Sequence, residues 1–407
     1  ADAAVERGGV AVRVGPSLLS GLEGVTDYMR RYPYTCLEQQ ISKAIALRDA
    51  ELWRTTMRAL PGYLDADGLA KYFPQMHEGS DALTAYVLAL AHEAGWAIDP
   101  AVRERMEAGL ARFLDGSLIR FGATAAADLV LRKLAAIEAL SRTDKATPEM
   151  LTALTVEPNL WPTSALLDWI NILSRVPGVP KAVDRLKEAE QILRARLTLH
   201  GTTMTFSTES ADRLWWLMVS PDANAARMVL SLLPSEEWKD DLPRLVRGLL
   251  GRQRFGHWDV TTANAWGVLA VEKFTSRFES TPVSGQTDGT LGSRSWAIDW
   301  ARTPNGDSHL FAWPSGAQDL KISHRGAGRP WVTVQSRAAV ALKEPLASGY
   351  RIKKSFTPMM QKEPGVWSRG DIVRVTLEVE AQSASVAVHV NPLVNWIWFG
   401  FGLLTLG

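Results

Sequence analysis

A cysteine and a glutamine stand three residues apart in the stretch Tyr-Pro-Tyr-Thr-Cys-Leu-Glu-Gln, which covers residues 32–39. Thr35 followed three residues later by Glu38 is typical of a capping box, which predicts that a helix begins at Cys36. Residues three apart lie on one helix face, so Sγ of Cys36 can meet Cδ of Gln39. Condensing the two side chains with loss of ammonia would give an internal thioester, an electrophile that amines can open.

The predicted helix start also bears on the thiol. Free N–H groups and the helix dipole at an N-terminus stabilise a thiolate, which is the leaving group when an amine takes the Gln39 acyl group. Gln40 also reaches Cys36, at i+4, so helical geometry leaves two candidate acyl donors. A cysteine hydrolase built on Cys36 would need a partner histidine, and the sequence indicates none.

Composition excludes several classes of function. The chain has 407 residues, enough for two or three domains. Lys plus Arg number 45 and Asp plus Glu 44, without a dense basic stripe, which argues against a nucleic-acid partner. One cysteine allows no disulfide within the chain. The motifs of common metal, nucleotide and serine-hydrolase sites are missing from the sequence, so we expect neither a cofactor nor a metal.

Two kinds of pattern divide the chain. From about Ser20 to Phe274, apolar residues recur at helical spacing. Helix starts are indicated at Ser80, Asp99-Pro100, Thr147-Pro148 and Ser220-Pro221. Alternating residues at 10–14 and after Pro282 predict strands on both sides of this block. The sequence therefore predicts a mainly α protein with β segments, whose helical block is inserted in a β domain.

The residues around the cysteine resemble a known family. Cys36-Leu37-Glu38-Gln39 matches the Cys-x-Glu-Gln thioester signature of α2-macroglobulins and complement proteins. The flanking Tyr32-Pro33-Tyr34 is similar to the proteobacterial α2-macroglobulins in particular. Further stretches resemble this family in the same order, at 79–87, 216–225, 256–266, 330–336 and 370–375. The resemblance implies a thioester between Cys36 and Gln39, with Thr35, Leu37 and Glu38 supporting the motif.

The resemblance implies a domain order as well. An α/α-toroid thioester domain is expected at 18–278, inserted in a CUB-like β domain. The first strand or strands of that β domain occupy 1–17, and its remainder occupies 279–336. A partial β-sandwich of the receptor-binding type is expected at 337–382, followed by an apolar tail at 383–407.

The tail does not follow the family. Its apolar run from Leu393 has 15 residues. As a helix it would be about 22 Å long, too short for a bilayer core of about 30 Å. From about Val386 the sequence instead resembles a truncated membrane span of the cytochrome c haem-lyase membrane subunit.

The function that the family resemblance implies is not enzymatic. In the family a protease cuts a bait segment, the molecule rearranges, and the thioester captures a lysine amine of the protease covalently. These residues are expected to lack the bait, which would set the target protease. We expect a monomeric, broad-spectrum protease inhibitor in the periplasm, membrane-associated through an N-terminal anchor of the full-length protein.

The family also suggests what surrounds the thioester. It buries the bond against an aromatic residue, so Tyr32, Tyr34 and Tyr350 are candidate shields, with core packing as the alternative for each. Complement relatives use a histidine to direct the thioester to hydroxyl groups. The sequence has none between His92 and His200, so we expect direct attack by amines.

Two further alternatives stay open at this point. The chain could be a non-reactive helical scaffold in which the Cys36–Gln39 bond never forms, and the intact mass would separate this from a covalent trap. An α/α-barrel enzyme would need clustered carboxylates on inner loops, and the sequence shows no compelling set.

Overall fold

The computed structural model describes residues 3–118, 128–152, 154–207, 214–313, 316–340, 351–380 and 385–390. It divides into two units. The larger comprises Ala11–His309 and Pro314–Val334, and the smaller comprises Ala1–Val10, Leu310–Trp313 and Gln335–Gly407. Residues 119–127, 208–213 and 391–407 are among those outside the described part, and the apolar run that resembles a membrane span lies within the last of these ranges.

The described part of the larger unit contains eleven α-helices. They are α1 Glu23–Arg31, α2 Leu37–Leu47, α3 Ala50–Tyr63, α4 Asp81–Ala94, α5 Pro100–Asp115, α6 Leu129–Ser141, α7 Thr163–Arg175, α8 Ala182–Ala195, α9 Pro221–Leu232, α10 Leu242–Gly251 and α11 Thr261–Phe278. Among the described residues, none of these helices is both long and apolar enough to cross a membrane.

Strands occur on both sides of the helices. They are β1 Ala3–Gly15, β2 Leu197–His200, β3 Thr203–Phe206, β4 Gln286–Leu291, β5 Arg294–Asp299, β6 Asp307–Phe311, β7 Leu320–Arg325, β8 Trp331–Val340, β9 Arg351–Met360, β10 Ile372–Glu380 and β11 Ser385–Val390. Three small sheets have the orders β6-β1-β8, β5-β4-β7 and β11-β10-β9, and β2 pairs with β3. The mainly α composition with bracketing strands is confirmed.

Pairing in the two later sheets is antiparallel. In the first, Gly289 lies opposite Trp296 on β5 and Ile322 on β7. In the second, Val375 lies opposite Phe356 and Val390. Residues 385–390 therefore form a strand, where the sequence analysis placed the start of the apolar tail.

Most of the predicted helix starts are confirmed. The side chains of Ser80, Asp99 and Ser220 each accept hydrogen bonds from backbone N–H groups of the following turn, which satisfies donors that a helix leaves free. Gly95 ends α4 in the left-handed conformation that glycine adopts most readily. The start predicted at Thr147 is wrong in extent, because only a short 3₁₀ turn, Pro148–Leu151, follows it.

One β-hairpin interrupts the block that the periodicity predicts to be helical throughout. β2 and β3 pair through Leu197 opposite Phe206 and His200 opposite Thr203. Gly201, at φ 60°, lies in the two-residue turn between them. A tight turn of this kind, flanked by β-branched and apolar residues, outweighs the weak helical periodicity of the segment.

The helices differ in how much of their length is buried. In α4, eleven of the 14 residues are buried, whereas in α8 only Ala189 and Leu193 are. α7 and α11 resemble α4 in this respect, while α1 and α3 bury only a narrow stripe. A helix that is apolar on most faces lies inside a fold, and one with a stripe covers it. α2, which carries Cys36 at its start, packs against α11.

Candidate functional site

The chain enters α2 through Cys36, which has extended backbone at φ −64° and ψ 166°. The Cys36 side chain accepts a hydrogen bond from the backbone N–H of Gln39. In return, Oε1 of Gln39 accepts one from the Cys36 N–H at 3.1 Å. A capping box is therefore present, but the prediction that Thr35 and Glu38 form it is wrong. The helix begins at Leu37, and the box consists of Cys36 and Gln39.

This reciprocal bonding places the two side chains of the predicted thioester at the same end of α2. Gln40 is turned away, because its Nε2 donates to the Thr35 carbonyl at 2.6 Å and to the Tyr63 hydroxyl at 3.1 Å. The structure thus separates two glutamines that helical spacing alone left equivalent. The bond between Cys36 and Gln39 stays a prediction.

The Cys36 thiol lies in an environment of opposing effects. Burial has the largest effect and raises the pKa of the thiol, and the nearby carboxylate of Glu38 also raises it. The backbone N–H groups of Gln39 and Glu38 lower the pKa. The net pKa is above the ordinary value. The N–H groups of the helix start thus act in the expected direction, but burial outweighs them, since Cys36 is only 7% exposed and loses much of its hydration.

Glu38 is turned into the core rather than toward the cap. Its Oε1 accepts hydrogen bonds from the Ser42 hydroxyl at 2.6 Å and from the Thr261 hydroxyl at 2.8 Å. Ser42 also shares a hydrogen bond of 2.7 Å with the Tyr86 hydroxyl. Burial raises the pKa of Glu38, and the two hydroxyl groups lower it to a smaller extent. We call Glu38, Ser42, Tyr86 and Thr261 the hydroxyl cluster.

Sequence reasoning missed the partners of Glu38, and only one left a local signal. Ser42 follows Glu38 by four residues, the spacing of neighbours on one helix face. Thr261 is 223 residues away in sequence, at the start of α11, and Tyr86 lies on α4. The hydroxyl cluster therefore joins three helices at the site, a placement that only the tertiary fold creates.

A loop between α3 and α4 also touches the start of α2. The Tyr72 carbonyl accepts a hydrogen bond of 3.0 Å from the N–H of Leu37, which is fully buried. Burial raises the pKa of the Tyr72 hydroxyl, with smaller contributions from the charges of Glu38 and Cys36. Tyr72 is thus an aromatic neighbour of the site that the sequence analysis did not name.

Asp65 organises this loop. Its carboxylate accepts backbone hydrogen bonds from Asp67 and Leu69 at 2.9 Å and from Gly79 at 2.7 Å. A carboxylate that accepts several N–H groups fixes the course of a loop. Asp65 therefore acts as a cap that holds this loop in place.

The tyrosines predicted to shield the site form a row before α2. The Tyr32 ring lies 5.5 Å from that of Tyr28 and 5.6 Å from that of Tyr34, measured between centroids. Tyr32 is half-buried, whereas Tyr34 is 65% exposed. Tyr350 lies outside the described residues. The shielding role of Tyr32 and Tyr34 stays a prediction.

His257 extends the tyrosine row. Its ring stacks on Tyr28 with 3.7 Å between centroids, and its Nδ1 lies 2.7 Å from the Trp258 carbonyl. The stack depends on close backbone approach, since a Cβ on Gly24 would lie 2.6 Å from the Gly256 carbonyl oxygen. The stack and the hydrogen bond of His257 are typical of a packing role.

A second buried region is rich in ion pairs. Glu138 accepts hydrogen bonds from Arg142, Asn171 and Arg175, and Glu93 accepts them from Arg142 and Lys273. Burial alone would raise the pKa of Glu138, but the two arginines outweigh it and lower the pKa. We call this region the arginine cluster.

The arginine cluster bears on the α/α-barrel enzyme alternative. A cavity between α4, α6, α7 and α9 is lined by Glu138 and Asp168. Each of these carboxylates is bonded to an arginine, Asp168 to Arg227. Carboxylates paired in this way are typical of structural networks. Among the described residues, no group of three His, Cys, Asp or Glu side chains could hold a metal ion.

Comparison with solved structures identifies the fold. No protein-family model and no curated protein sequence matches the chain. The native α2-macroglobulin of Escherichia coli superposes with TM-score 0.53 at 17% identity, over 92% of this chain and 24% of that one. A crystal structure of its part from domain MG7 to the C-terminus gives TM-score 0.53 at 16% identity, over 92% of this chain and 59% of that one.

A third structure has a similar likeness. Salmonella α2-macroglobulin reacted with methylamine gives TM-score 0.50 at 17% identity, over 91% of this chain and 24% of that one. The chain thus shares a fold with part of the bacterial α2-macroglobulins and spans about a quarter of the two longer structures. The comparisons give no support to the resemblance of the tail to the haem-lyase membrane subunit.

Proposed function

We propose that this chain is the thioester-bearing part of a protease inhibitor of the α2-macroglobulin type. In this proposal Cys36 and Gln39 condense to a thioester, which acylates a lysine amine of an attacking protease. The observation that carries the proposal is the reciprocal bonding of Cys36 and Gln39 at the start of α2. It brings together the only cysteine of the chain and the glutamine of the signature.

The chemistry of the trap follows from the two side chains. The amine nitrogen attacks Cδ of Gln39, an amide forms, and the Cδ–Sγ bond breaks with its electron pair on Cys36. The proton lost by the amine passes to solvent or to the thiolate. The reaction consumes the thioester, so the chain acts once and is not an enzyme.

The wider architecture is part of the same proposal. The buried helices, such as α4, and the stripe-bearing helices, such as α8, would form the inner and outer layers of an α/α-toroid. The bracketing strands would belong to a CUB-like domain, and β9, β10 and β11 to a partial receptor-binding-like sandwich. We further propose that the full-length protein is a periplasmic, membrane-anchored monomer with its bait outside these residues.

We expect the thioester to prefer amines over hydroxyl groups. Among the described residues, no histidine forms a hydrogen bond with Cys36 or Gln39, so there is no evident base to activate an alcohol. A lysine amine of pKa about 10.4 is mostly protonated at neutral pH. The rate should therefore rise about tenfold with each unit of pH below that pKa.

The intact mass tests the proposal. Freshly purified protein should be lighter than the sequence mass by one ammonia, and methylamine should add its own mass and free one thiol. Glycerol should label the protein poorly under the same conditions. Cys36→Ser is the matched control, since it keeps a hydrogen-bonding cap but should retain the full sequence mass. A full-mass wild-type protein that methylamine leaves unlabelled would favour the alternative, a non-reactive helical scaffold.

A further inference from the structure

Glu38 is a buried carboxylate next to the site, and the acyl transfer described above does not use it. Only 8% of its surface is exposed. Within the described residues, its hydrogen-bond partners are the hydroxyl groups of Ser42 and Thr261, and no Arg, Lys or His contributes to the shift of its pKa. A buried charge without a cation nearby acts strongly on neighbouring groups, because little solvent screens it.

Cys36 is the N-cap of α2 and Glu38 is the second residue of the same helix, so the carboxylate and the thiol belong to the same helix start. The charge of Glu38 raises the pKa of Cys36, in the same direction as burial and against the N–H groups of the first turn. It also contributes to the raised pKa of the tyrosines around the site, which are Tyr32, Tyr72 and Tyr86. These tyrosines lie on the segment before α2, on the loop after α3 and on α4, and burial is the larger cause of the raised pKa in each.

A thioester opens more easily when its leaving thiol has a low pKa. We propose that Glu38 is a positioning residue whose carboxylate, held by Ser42 and Thr261, slows the departure of the Cys36 thiolate and so protects the thioester from premature opening. The inference rests on the proposed thioester. As the Cδ–Sγ bond breaks, negative charge develops on Sγ, and the fixed negative charge of Glu38 opposes it.

Thr261 is the first residue of α11, and its hydroxyl stabilises the carboxylate. Burial raises the pKa of this carboxyl. Protonation removes the charge that opposes the leaving thiolate.

Glu38→Gln tests the inference, because it removes the charge and keeps the shape. Methylamine should open the thioester about threefold to tenfold faster in this variant at pH about 8, since the thiol becomes a better leaving group. The acceleration should shrink toward none at acid pH, where wild-type Glu38 becomes protonated. A purely structural role would give no such convergence, and an equal rate at pH about 8 would contradict the inference.

The matched control is Glu51→Gln. Glu51 is the second residue of α3, as Glu38 is of α2, but its side chain is 64% exposed. Both variants remove a carboxylate from the same turn of a helix, so a general effect of the helix dipole would appear in both. We expect the methylamine rate of Glu51→Gln to equal that of the wild type.

A second measurement does not need the thioester. The pH dependence of Cys36 alkylation by iodoacetamide should give a lower thiol pKa in Glu38→Gln than in wild-type protein, both after methylamine treatment. Identical titrations would overturn the inference even if the thioester forms. A wild-type protein of full sequence mass would instead contradict the proposed function, while its thiol titration would still test Glu38.

Discussion

Two buried carboxylates of this chain are stabilised in opposite ways. In the arginine cluster, Glu138 receives charged hydrogen bonds from Arg142 and Arg175, and its pKa is lowered. In the hydroxyl cluster, Glu38 receives neutral hydrogen bonds from Ser42 and Thr261, and its pKa is raised. The arginines thus favour the ionised form of Glu138, whereas burial disfavours the charge of Glu38 and its two hydroxyl donors offset this only in part.

The difference shows where the fold contains a buried charge that lowers its stability. A paired charge in the interior is costly to break, while a carboxylate bonded only to hydroxyl groups costs stability as long as it stays ionised. Glu38, which accepts hydrogen bonds from hydroxyl groups, is two residues from Cys36, which carries the proposed chemistry. Carboxylates with shifted pKa values are common at functional sites, and structural ion pairs such as those of Glu138 also shift the pKa of a carboxylate.

The largest effect is expected from the arginine cluster. Arg142→Met leaves Glu93 and Glu138 buried with fewer cations, and should lower the free energy of unfolding by about 3–5 kcal/mol. Urea unfolding measures this. The control is Arg302→Met, whose side chain is 88% exposed in its contact with Asp299 and should change stability by less than about 0.5 kcal/mol. Equal effects of the two variants would show that the arginine cluster is not the strong contact described.

The pH dependence of the free energy of unfolding should have opposite signs for the two carboxylates, and this effect should be smaller than that of Arg142→Met. The lowered pKa of Glu138 means that its stabilisation is present above the unfolded value of about 4.3 and is lost as pH falls through the folded pKa. The raised pKa of Glu38 means that folded protein binds its proton more tightly. Stability therefore declines as pH rises from about 4.3 through the folded pKa.

Urea unfolding of wild type, Glu38→Gln and Glu138→Gln from pH about 3 to about 8 measures both trends. Glu38→Gln should gain stability relative to wild type as pH rises above about 4.3. Glu138→Gln should be the less stable variant throughout, and its deficit should be constant above about pH 5 and shrink as pH falls below about 4.3. Parallel curves for the two variants would remove the contrast between the clusters.

Local signals in the sequence predicted much of this fold. Caps at Ser80, Asp99 and Ser220 act within one turn, so their residues alone fix the helix starts. The hairpin at Leu197–Phe206 escaped the prediction, because a short strand pair is weak against a long helical context. The capping box lies one residue later than predicted, and it was missed because Cys is an unusual N-cap residue, although Gln is common at the third helical position.

Part of the candidate site could likewise be predicted from the sequence, and part could not. Cys36 and Gln39 could be proposed from a three-residue spacing and a family signature, and in the structure they are joined by a hydrogen bond. The direction of the thiol pKa could not be predicted, because it depends on burial and on Glu38, whose donor Thr261 comes from the far end of the helical block. Helix spacing alone did not decide whether Gln39 or Gln40 is the acyl donor. In the structure, Gln40 donates hydrogen bonds to the Thr35 carbonyl and to the Tyr63 hydroxyl instead.

Peptide mapping of methylamine-treated protein tests the central claim most directly. The account predicts a methylamide on Gln39 and a newly alkylatable thiol on Cys36. Gln40 should stay an unmodified amide, since its Nε2 is bonded to the Thr35 carbonyl and to Tyr63. Gln40→Ala should keep the adduct and Gln39→Ala should abolish it. A methylamide on Gln40, or no adduct in freshly folded protein, would contradict the account.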